Sequence, residues 1–212
     1  MILFDFDLKL KCTVIGTDEA GRGSGVGSVF AAAVCFPEKN NSLIKKLSDL
    51  NDSKKLSPKK REELYKIIKT ETINSVVPIG VDIIEKENIL KASLLAMKKA
   101  VENVEKNIEY EKLTVLVDGN FLIPGIKFPQ KYVIKGDGKS ASIAAASILA
   151  KVERDRYMTE LADKFPEYFW NKNMGYLTKE HLNAIDKFGL TPLHRKSFLT
   201  KHFAKNEQLN LF

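Results

Sequence analysis

The segment that is most informative about the fold is CTVIGTDEAGRGSGVGSVFAAAVCF, residues 12–36. Residues 13–17 are β-branched or apolar apart from one glycine and predict a strand, while the continuous apolar run 29–36 predicts a second, fully buried strand. Asp18 and Glu19 therefore lie where the first strand ends. The five glycines of the stretch let its backbone approach another molecule closely, because they carry no Cβ.

The loop between the two strands allows two interpretations. An adjacent acid pair followed by glycines is typical of a flexible hairpin turn with solvated carboxylates. Arg22, however, lies between Gly21 and Gly23 and close to both acids. This arrangement favours a functional loop over a plain turn.

Bulk properties narrow the class of protein. With 212 residues, the chain is long enough to bury a sizeable hydrophobic core. Its formal charge of +7 favours a polyanionic partner or substrate. Cys12 and Cys35 fall in the two predicted strands without CxxC spacing, so we expect buried thiols in a reducing compartment. No span reaches transmembrane length and no signal sequence is evident, which predicts a cytoplasmic protein without a membrane partner.

The rest of the chain alternates between strand and helix patterns, which predicts an α/β fold. Ser57 is a predicted N-cap with Pro58 at the first helical position, and Lys54 and Lys55 just before it are either solvated or bind phosphate. Strands are predicted at 74–81, 113–117 and 131–134, and helices from Ser57, along a Leu90 to Val104 stripe, from near Ser140 and over 178–188.

Two further acids follow strands. Asp118 ends the run 113–117, and Asp137 lies before the alanine-rich helix, where it is either a helix cap or a functional acid. Asp155 inside that helix is better explained by a helical ion pair. Clustered carboxylates bind hard cations, so Mg²⁺ or Mn²⁺ is expected, and two such ions suit phosphodiester hydrolysis.

The histidines do not resemble a metal site. His181, His194 and His202 are scattered along the C-terminal third, and we expect them to cap helices or contact phosphate.

Several motifs together resemble the ribonuclease HII family, the type 2 ribonucleases H. They are DEAGRG, NDSKKLSPKKREEL, VDGN, KGDGKSASIAAASILAKVERDRYM, GYLT and TPLHRKSF, in the family's order over nearly the whole chain. The resemblance implies a ribonuclease H-like fold, a five-stranded mixed sheet flanked by helices, with a C-terminal helical region. We expect residues 1–160 to form the catalytic domain, 161–205 the helical region and 206–212 a tail.

The resemblance also implies an activity and a site. The expected enzyme is a monomeric, metal-dependent endoribonuclease that cleaves RNA in RNA/DNA hybrids and incises duplex DNA 5′ of an embedded ribonucleotide, leaving a 3′-hydroxyl and a 5′-phosphate. The implied metal ligands are Asp18, Glu19, Asp118 and Asp137. Gly21, Arg22 and Gly23 would read the 2′-hydroxyl, Tyr176 would stack on the next sugar, and Lys54, Lys139 and Lys151 would hold phosphates.

Two features go beyond the shared motifs. Where the family usually has PLAGPV, this chain has SGVGSV at residues 24–29, and without the prolines we expect a more mobile loop and weaker junction selectivity. The terminal QLNLF resembles the peptide by which bacterial replication proteins bind the sliding clamp, through Gln208, Leu209, Leu211 and Phe212.

Two rival functions stay open at this point. A ribonuclease HIII-like nuclease shares the acids and the fold, but the arginine of the Gly21 to Gly23 motif and the absence of an extra N-terminal domain argue against it. A catalytically silent hybrid-binding module is disfavoured because all four acids are present.

Overall fold

The fold is a five-stranded mixed sheet with helices on both faces, seen in a computed structural model that describes residues 2–37 and 41–209. The sheet order is β3-β2-β1-β4-β5, with β1 antiparallel to β2 and parallel to β4. Its strands are β1 (Thr13–Ala20), β2 (Val29–Cys35), β3 (Ile73–Ile79), β4 (Leu113–Asp118) and β5 (Gln130–Val133). The predicted α/β class and five-stranded mixed sheet are confirmed.

The helices in chain order are α1 (Ile2–Leu8), α2 (Asn41–Lys46), α3 (Pro58–Glu71), α4 (Val81–Glu87), α5 (Ile89–Glu105), α6 (Ala141–Lys164), α7 (Trp170–Asn173), α8 (Lys179–Phe188) and α9 (Thr200–Leu209). Helix α5 covers one face of the sheet, where its apolar stripe packs on β1, β2 and β3. Helices α3 and α6 cover the other face. No helix among the described residues is long and apolar enough to cross a membrane.

Helix α6 lies unusually close to the central strand. A Cβ on Gly16 of β1 would stand 2.3 Å from the carbonyl carbon of Ser142 and 2.4 Å from the nitrogen of Ile143. Ala144, Ala145 and Ala146 are fully buried in the same layer. Small residues on both elements thus allow a helix-to-sheet approach that places α6 directly behind the acid-bearing end of β1.

The N-terminus of α6 has a cap that the sequence did not reveal. Ser140 is the N-cap and accepts from the amide of Ile143 at 3.3 Å, so the alternative of Asp137 as the capping residue is wrong. Asp7 of α1 is buried and accepts from the Ser140 hydroxyl at 2.6 Å and from the Ser142 amide at 2.8 Å. The N-terminal helix therefore supports the start of the central helix.

The C-terminal region has a small core of its own. Trp170 and Tyr168 stack with ring centroids 5.1 Å apart, and both are buried. His181 and His194 are buried beside them with their Nε2 atoms 3.3 Å apart, so the expectation of phosphate-contacting or capping histidines is wrong for this pair. His202 on α9 instead contacts Asp186 at 2.7 Å. Cys35 is buried as expected, whereas Cys12 is only half-buried.

Candidate active site

A single cavity of about 320 Å³ opens where β1 and β4 end. It is lined by Asp18, Glu19, Ala20, Gly21, Arg22, Gly23, Ser53, Lys54, Asp118, Asp137, Ser147, Lys151, Arg154 and Tyr176. The fold therefore brings together the four predicted acids, the glycine loop, Tyr176 and two of the three predicted lysines.

Asp18 and Asp118 meet because their strands run in parallel. Thr17 pairs with Val117 in the ladder, so the next residues of β1 and β4, Asp18 and Asp118, lie side by side. Strand β1 continues to Ala20 through its pairing with β2, so Asp18 lies within the strand and not after its end. The Asp18 side chain is only 6% exposed. Burial and then the negative charges of Glu19 and Asp118 raise its pKa well above the ordinary value, against a hydrogen bond from the Glu19 amide at 2.7 Å.

Glu19 lies next to the one cation that the glycine loop contributes. Arg22 Nη1 is 3.1 Å from Glu19 Oε1, and the Glu19 carboxylate is the better shielded partner. Burial raises the pKa of Glu19, and the Arg22 charge opposes that rise. The ion pair thus fixes the arginine of the loop beside the acids.

Asp118 and Asp137 are linked through the turn before α6. The Gly136 amide donates to Asp118 Oδ1 at 2.6 Å, and a Cβ on Gly136 would stand 3.0 Å from that oxygen. Burial, followed by the charges of Asp52 and Asp118, raises the pKa of Asp137. Asp52 is a further acid near the site that sequence reasoning did not select.

The donor set suits a hard divalent cation. All four side chains offer carboxylate oxygens, and their mutual repulsion is relieved when a cation binds between them. Within the described ranges, no three acid, histidine or cysteine side chains already enclose one point as a finished metal cage. The acids would have to draw closer around an ion, and a carboxylate binds a metal ion only when it is deprotonated.

The loop after the acids is held by buried hydrogen bonds, which oppose the mobility that its missing prolines led us to expect. Ser24 and Val26 are fully buried, and the Ser24 hydroxyl donates to the Val26 carbonyl at 2.9 Å. The Gly25 amide donates to the Gly175 carbonyl, and the Gly27 amide to the Leu193 carbonyl, both at 2.9 Å. Hydrogen bonds replace the rigidity of the missing prolines, and the expected loss of junction selectivity loses its physical reason.

The buried guanidinium of Arg195 binds backbone carbonyls of the loop. Its Nη1 donates to the carbonyls of Gly21 at 2.8 Å and Ser24 at 2.7 Å, while its Nε and Nη2 donate to the Gly27 carbonyl at 2.9 and 2.7 Å. The side chain is fully buried. It belongs to the TPLHRKSF motif, but its type and position alone did not reveal this contact.

Tyr176 lies at the open side of the cavity, with 44% of its surface exposed. Its ring is near the loop, since a Cβ on Gly23 would stand 3.5 Å from Tyr176 Cε1. Its carbonyl is 2.9 Å from His181 Nδ1. The buried histidine thus holds the backbone of an exposed aromatic residue in place.

The remaining predicted residues separate into two groups. Lys54 and Lys151 both line the cavity, and Lys54 is exposed there. Lys151 also forms an ion pair with Asp155 at 2.8 Å, which confirms the predicted helical ion pair of Asp155. Lys139 is exposed and does not line the cavity. Sequence reasoning missed the lining residues Ser53, Ser147 and Arg154; the two serine hydroxyls are 2.9 Å apart.

The terminal peptide is largely beyond the described part of the chain. Gln208 and Leu209 belong to the last turn of α9, without described side chains, and Leu211 and Phe212 lie outside the described residues.

Comparison with known proteins identifies the family. The family model for ribonuclease HII matches residues 15–204. The chain belongs to the ribonuclease HII family. A ribonuclease HII from Pelagibacter ubique is 52% identical over 184 residues, which cover 86% of this chain and 94% of that relative.

Solved structures agree with this assignment. The ribonuclease HII in a complex with PCNA from Archaeoglobus fulgidus matches with a TM-score of 0.69 and 25% identity, covering 86% of this chain and 93% of that one. Bst-RNase HIII in complex with Mn²⁺ shares the fold alone, with a TM-score of 0.64 and 18% identity over 89% of this chain and 65% of that one. The family match favours ribonuclease HII over the ribonuclease HIII alternative.

Membership of the ribonuclease HII family establishes the class of activity. The chain is a ribonuclease, and its family hydrolyses the RNA of RNA/DNA hybrids with the help of divalent metal ions. The alternative of a catalytically silent binding module is therefore wrong.

Proposed function

We propose that this ribonuclease HII incises duplex DNA on the 5′ side of an embedded ribonucleotide, as well as cutting hybrids, by a mechanism that uses two divalent ions. The observation that carries the proposal is the convergence of four carboxylates, a glycine loop and Tyr176 on one cavity. The site is built from one chain, which supports action as a monomer.

Asp18, Glu19, Asp118 and Asp137 would hold the ions, Mg²⁺ or Mn²⁺. Bound at such a site, the ions activate water and stabilise the leaving 3′ oxygen of a phosphodiester. The chain's own contribution is to orient these acids: the Gly136 amide donates to Asp118, and Arg22 pairs with Glu19 and opposes the rise in its pKa that burial causes. The products would be a 3′-hydroxyl and a 5′-phosphate.

Selection of the ribonucleotide would depend on the loop and the ring beside it. Only the 2′-hydroxyl distinguishes the target from DNA. Gly21, Arg22 and Gly23 would bring polar groups to that hydroxyl, and the Tyr176 ring would stack on the following deoxyribose and reject an extra oxygen. Lys54 and Lys151 line the cavity and would bind phosphates, whereas Lys139 would contact the duplex outside it.

The deciding experiment uses a DNA duplex with one internal ribonucleotide and Mg²⁺. We expect a single nick on the 5′ side of that ribonucleotide. Asp18→Asn should lower the rate by roughly a thousandfold, because charge stabilisation by a bound ion is worth several kcal/mol. Asp163→Asn, which changes an exposed acid of α6 outside the cavity, is the matched control. Full activity of Asp18→Asn would contradict the metal assignment.

We also propose that the terminal QLNLF peptide binds the bacterial sliding clamp. The support is the motif at a chain end, which suits a peptide that enters a groove, together with a related ribonuclease HII solved in complex with PCNA. Acting on DNA in this way, the enzyme would work in the bacterial cytoplasm. A variant without Gln208 to Phe212 should lose the clamp in a pull-down while cutting the free duplex at the normal rate; unchanged capture would reject the peptide.

A further inference from the structure

Two arginine side chains lie buried beneath the glycine loop. Arg154 is 1% exposed and Arg195 is fully buried, and neither forms an ion pair within the described part of the chain. A buried guanidinium without a carboxylate partner lowers stability. Burial lowers the pKa of both, and with the added charge of Arg154 it lowers the pKa of Arg195 to about 10, so both are charged at neutral pH.

Arg195 constrains the loop at several points at once. It donates to carbonyls of Gly21, Arg22, Ser24 and Gly27, and its own amide donates to the Gly25 carbonyl at 2.8 Å. Only the planar fork of an arginine has enough fixed donors for such a set. With these carbonyls bound to one group, the segment that carries Arg22 and Gly23 has one conformation at the cavity.

Arg154 connects that loop to the turn that carries Tyr176. Its Nη2 donates to the Met174 carbonyl at 3.0 Å. Its Nε has no hydrogen-bond partner among the described residues and packs against Gly21, where a Cβ would stand 2.1 Å away. Since Gly21 has a φ of +96°, a side chain there would be strained as well as obstructed. The same buried side chain thus contacts both the glycine loop, at Gly21, and the turn before Tyr176, at Met174.

We propose that Arg154 and Arg195 are positioning residues that set the spacing between the glycine loop and Tyr176, and thereby the preference for a ribonucleotide over a deoxyribonucleotide. The inference rests on the proposed function, because it assigns ribonucleotide reading to those two elements. Neither arginine needs to touch the substrate. A displacement of the loop or of Tyr176 by about 1 Å can reduce a rate that depends on their contacts with the substrate about a hundredfold.

The test measures binding without catalysis. Fluorescence anisotropy in EDTA gives the dissociation constants of an all-DNA duplex and of the same duplex with one ribonucleotide, and their ratio is the preference. Arg195→Lys keeps the charge but loses the fork, and we expect the preference to fall at least about tenfold while all-DNA binding is unchanged. The control is Arg156→Lys. Arg156 is exposed, lies on α6 with Arg154 and pairs with Glu62, so this variant should keep the preference.

A second measurement distinguishes positioning from simple loss of structure. The rise in melting temperature caused by Mg²⁺ should persist in Arg195→Lys, since neither buried arginine hydrogen-bonds an acid of the site among the described residues. If Arg195→Lys does not fold, the same two measurements are made on Arg154→Lys. A lysine at that position cannot both pack against Gly21 and reach the Met174 carbonyl.

Three results would overturn the inference. A wild-type preference retained in both folded variants rejects the positioning role alone. Equal weakening of both duplexes assigns the arginines to general binding instead. A wild-type protein without any preference rejects ribonucleotide reading in the proposed function, and this inference with it.

Discussion

Acidification should unfold the C-terminal core through His194. The Thr191 amide donates to His194 Nδ1 at 2.9 Å, so the ring proton is on Nε2, which points to His181 Nε2 at 3.3 Å. His181 Nε2 already accepts from the indole of Trp170 at 3.0 Å. A second proton on His194 must go to Nδ1, where it would break the bond from Thr191.

The size of the effect follows from the pKa of His194. Burial and then the neighbouring His181 lower it from 6.5 to about 4. Between these values the unfolded chain binds a proton that the folded chain does not, so the free energy of unfolding falls as the pH falls. The stabilisation is complete above pH 6.5 and lost below pH 4. At about 1.4 kcal/mol per pH unit, the loss is about 3 kcal/mol.

Urea unfolding followed by the fluorescence of Trp170, the chain's single tryptophan, measures this loss directly. Acids elsewhere titrate in the same range, so the quantity to follow is the difference between wild type and His194→Gln. We expect that difference to favour wild type at pH 7 and to shrink by about 2 kcal/mol at pH 5. Parallel curves for the two proteins would refute the assignment of a buried neutral His194.

Further predictions concern packing, capping and metal binding. Gly16→Ala should cost at least about 2 kcal/mol in urea unfolding, because its Cβ meets the α6 backbone, whereas Gly138→Ala, with nothing within 4 Å of its Cβ and no positive φ, should cost less; equal costs would contradict the close approach. Asp7→Ala leaves a buried hydroxyl and amide unpaired and should cost about 1–3 kcal/mol by the same method. Because burial and repulsion raise the pKa of Asp18, the rise in melting temperature caused by Mg²⁺ should be smaller at pH 5 than at pH 7.5, and a rise independent of pH would argue against these ligands.

The sequence allowed the site to be predicted because its acids lie at or near the ends of strands. Period and β-branching marked the strands that carry Asp18 and Asp118, and parallel neighbours in one sheet must bring their ends together. The Ser57 cap and the Asp155 ion pair were equally local, since each depends on residues three or four positions apart. Lys139 was selected by resemblance alone, and it lies outside the cavity.

Contacts between distant parts of the chain were beyond such reasoning. Arg195 binds carbonyls more than 160 residues away, and Asp7 caps a helix that begins 134 residues later, at Ala141. Neither pattern has a period or a local spacing that would reveal it. The expectation of a mobile loop had the same limit, because it considered the missing prolines without the hydrogen bonds that the fold supplies to the loop.

The sequence by itself determined the family, the α/β sheet and the acids of its site, because these depend on motifs and on periodicity along the chain. The tertiary structure was needed to show that hydrogen bonds from Arg195 hold the loop from Gly21 to Gly27, and that His181 and His194 are buried together. Hydrogen-bond partners and burial depend on which surfaces the fold brings together, and that information is not local in the chain.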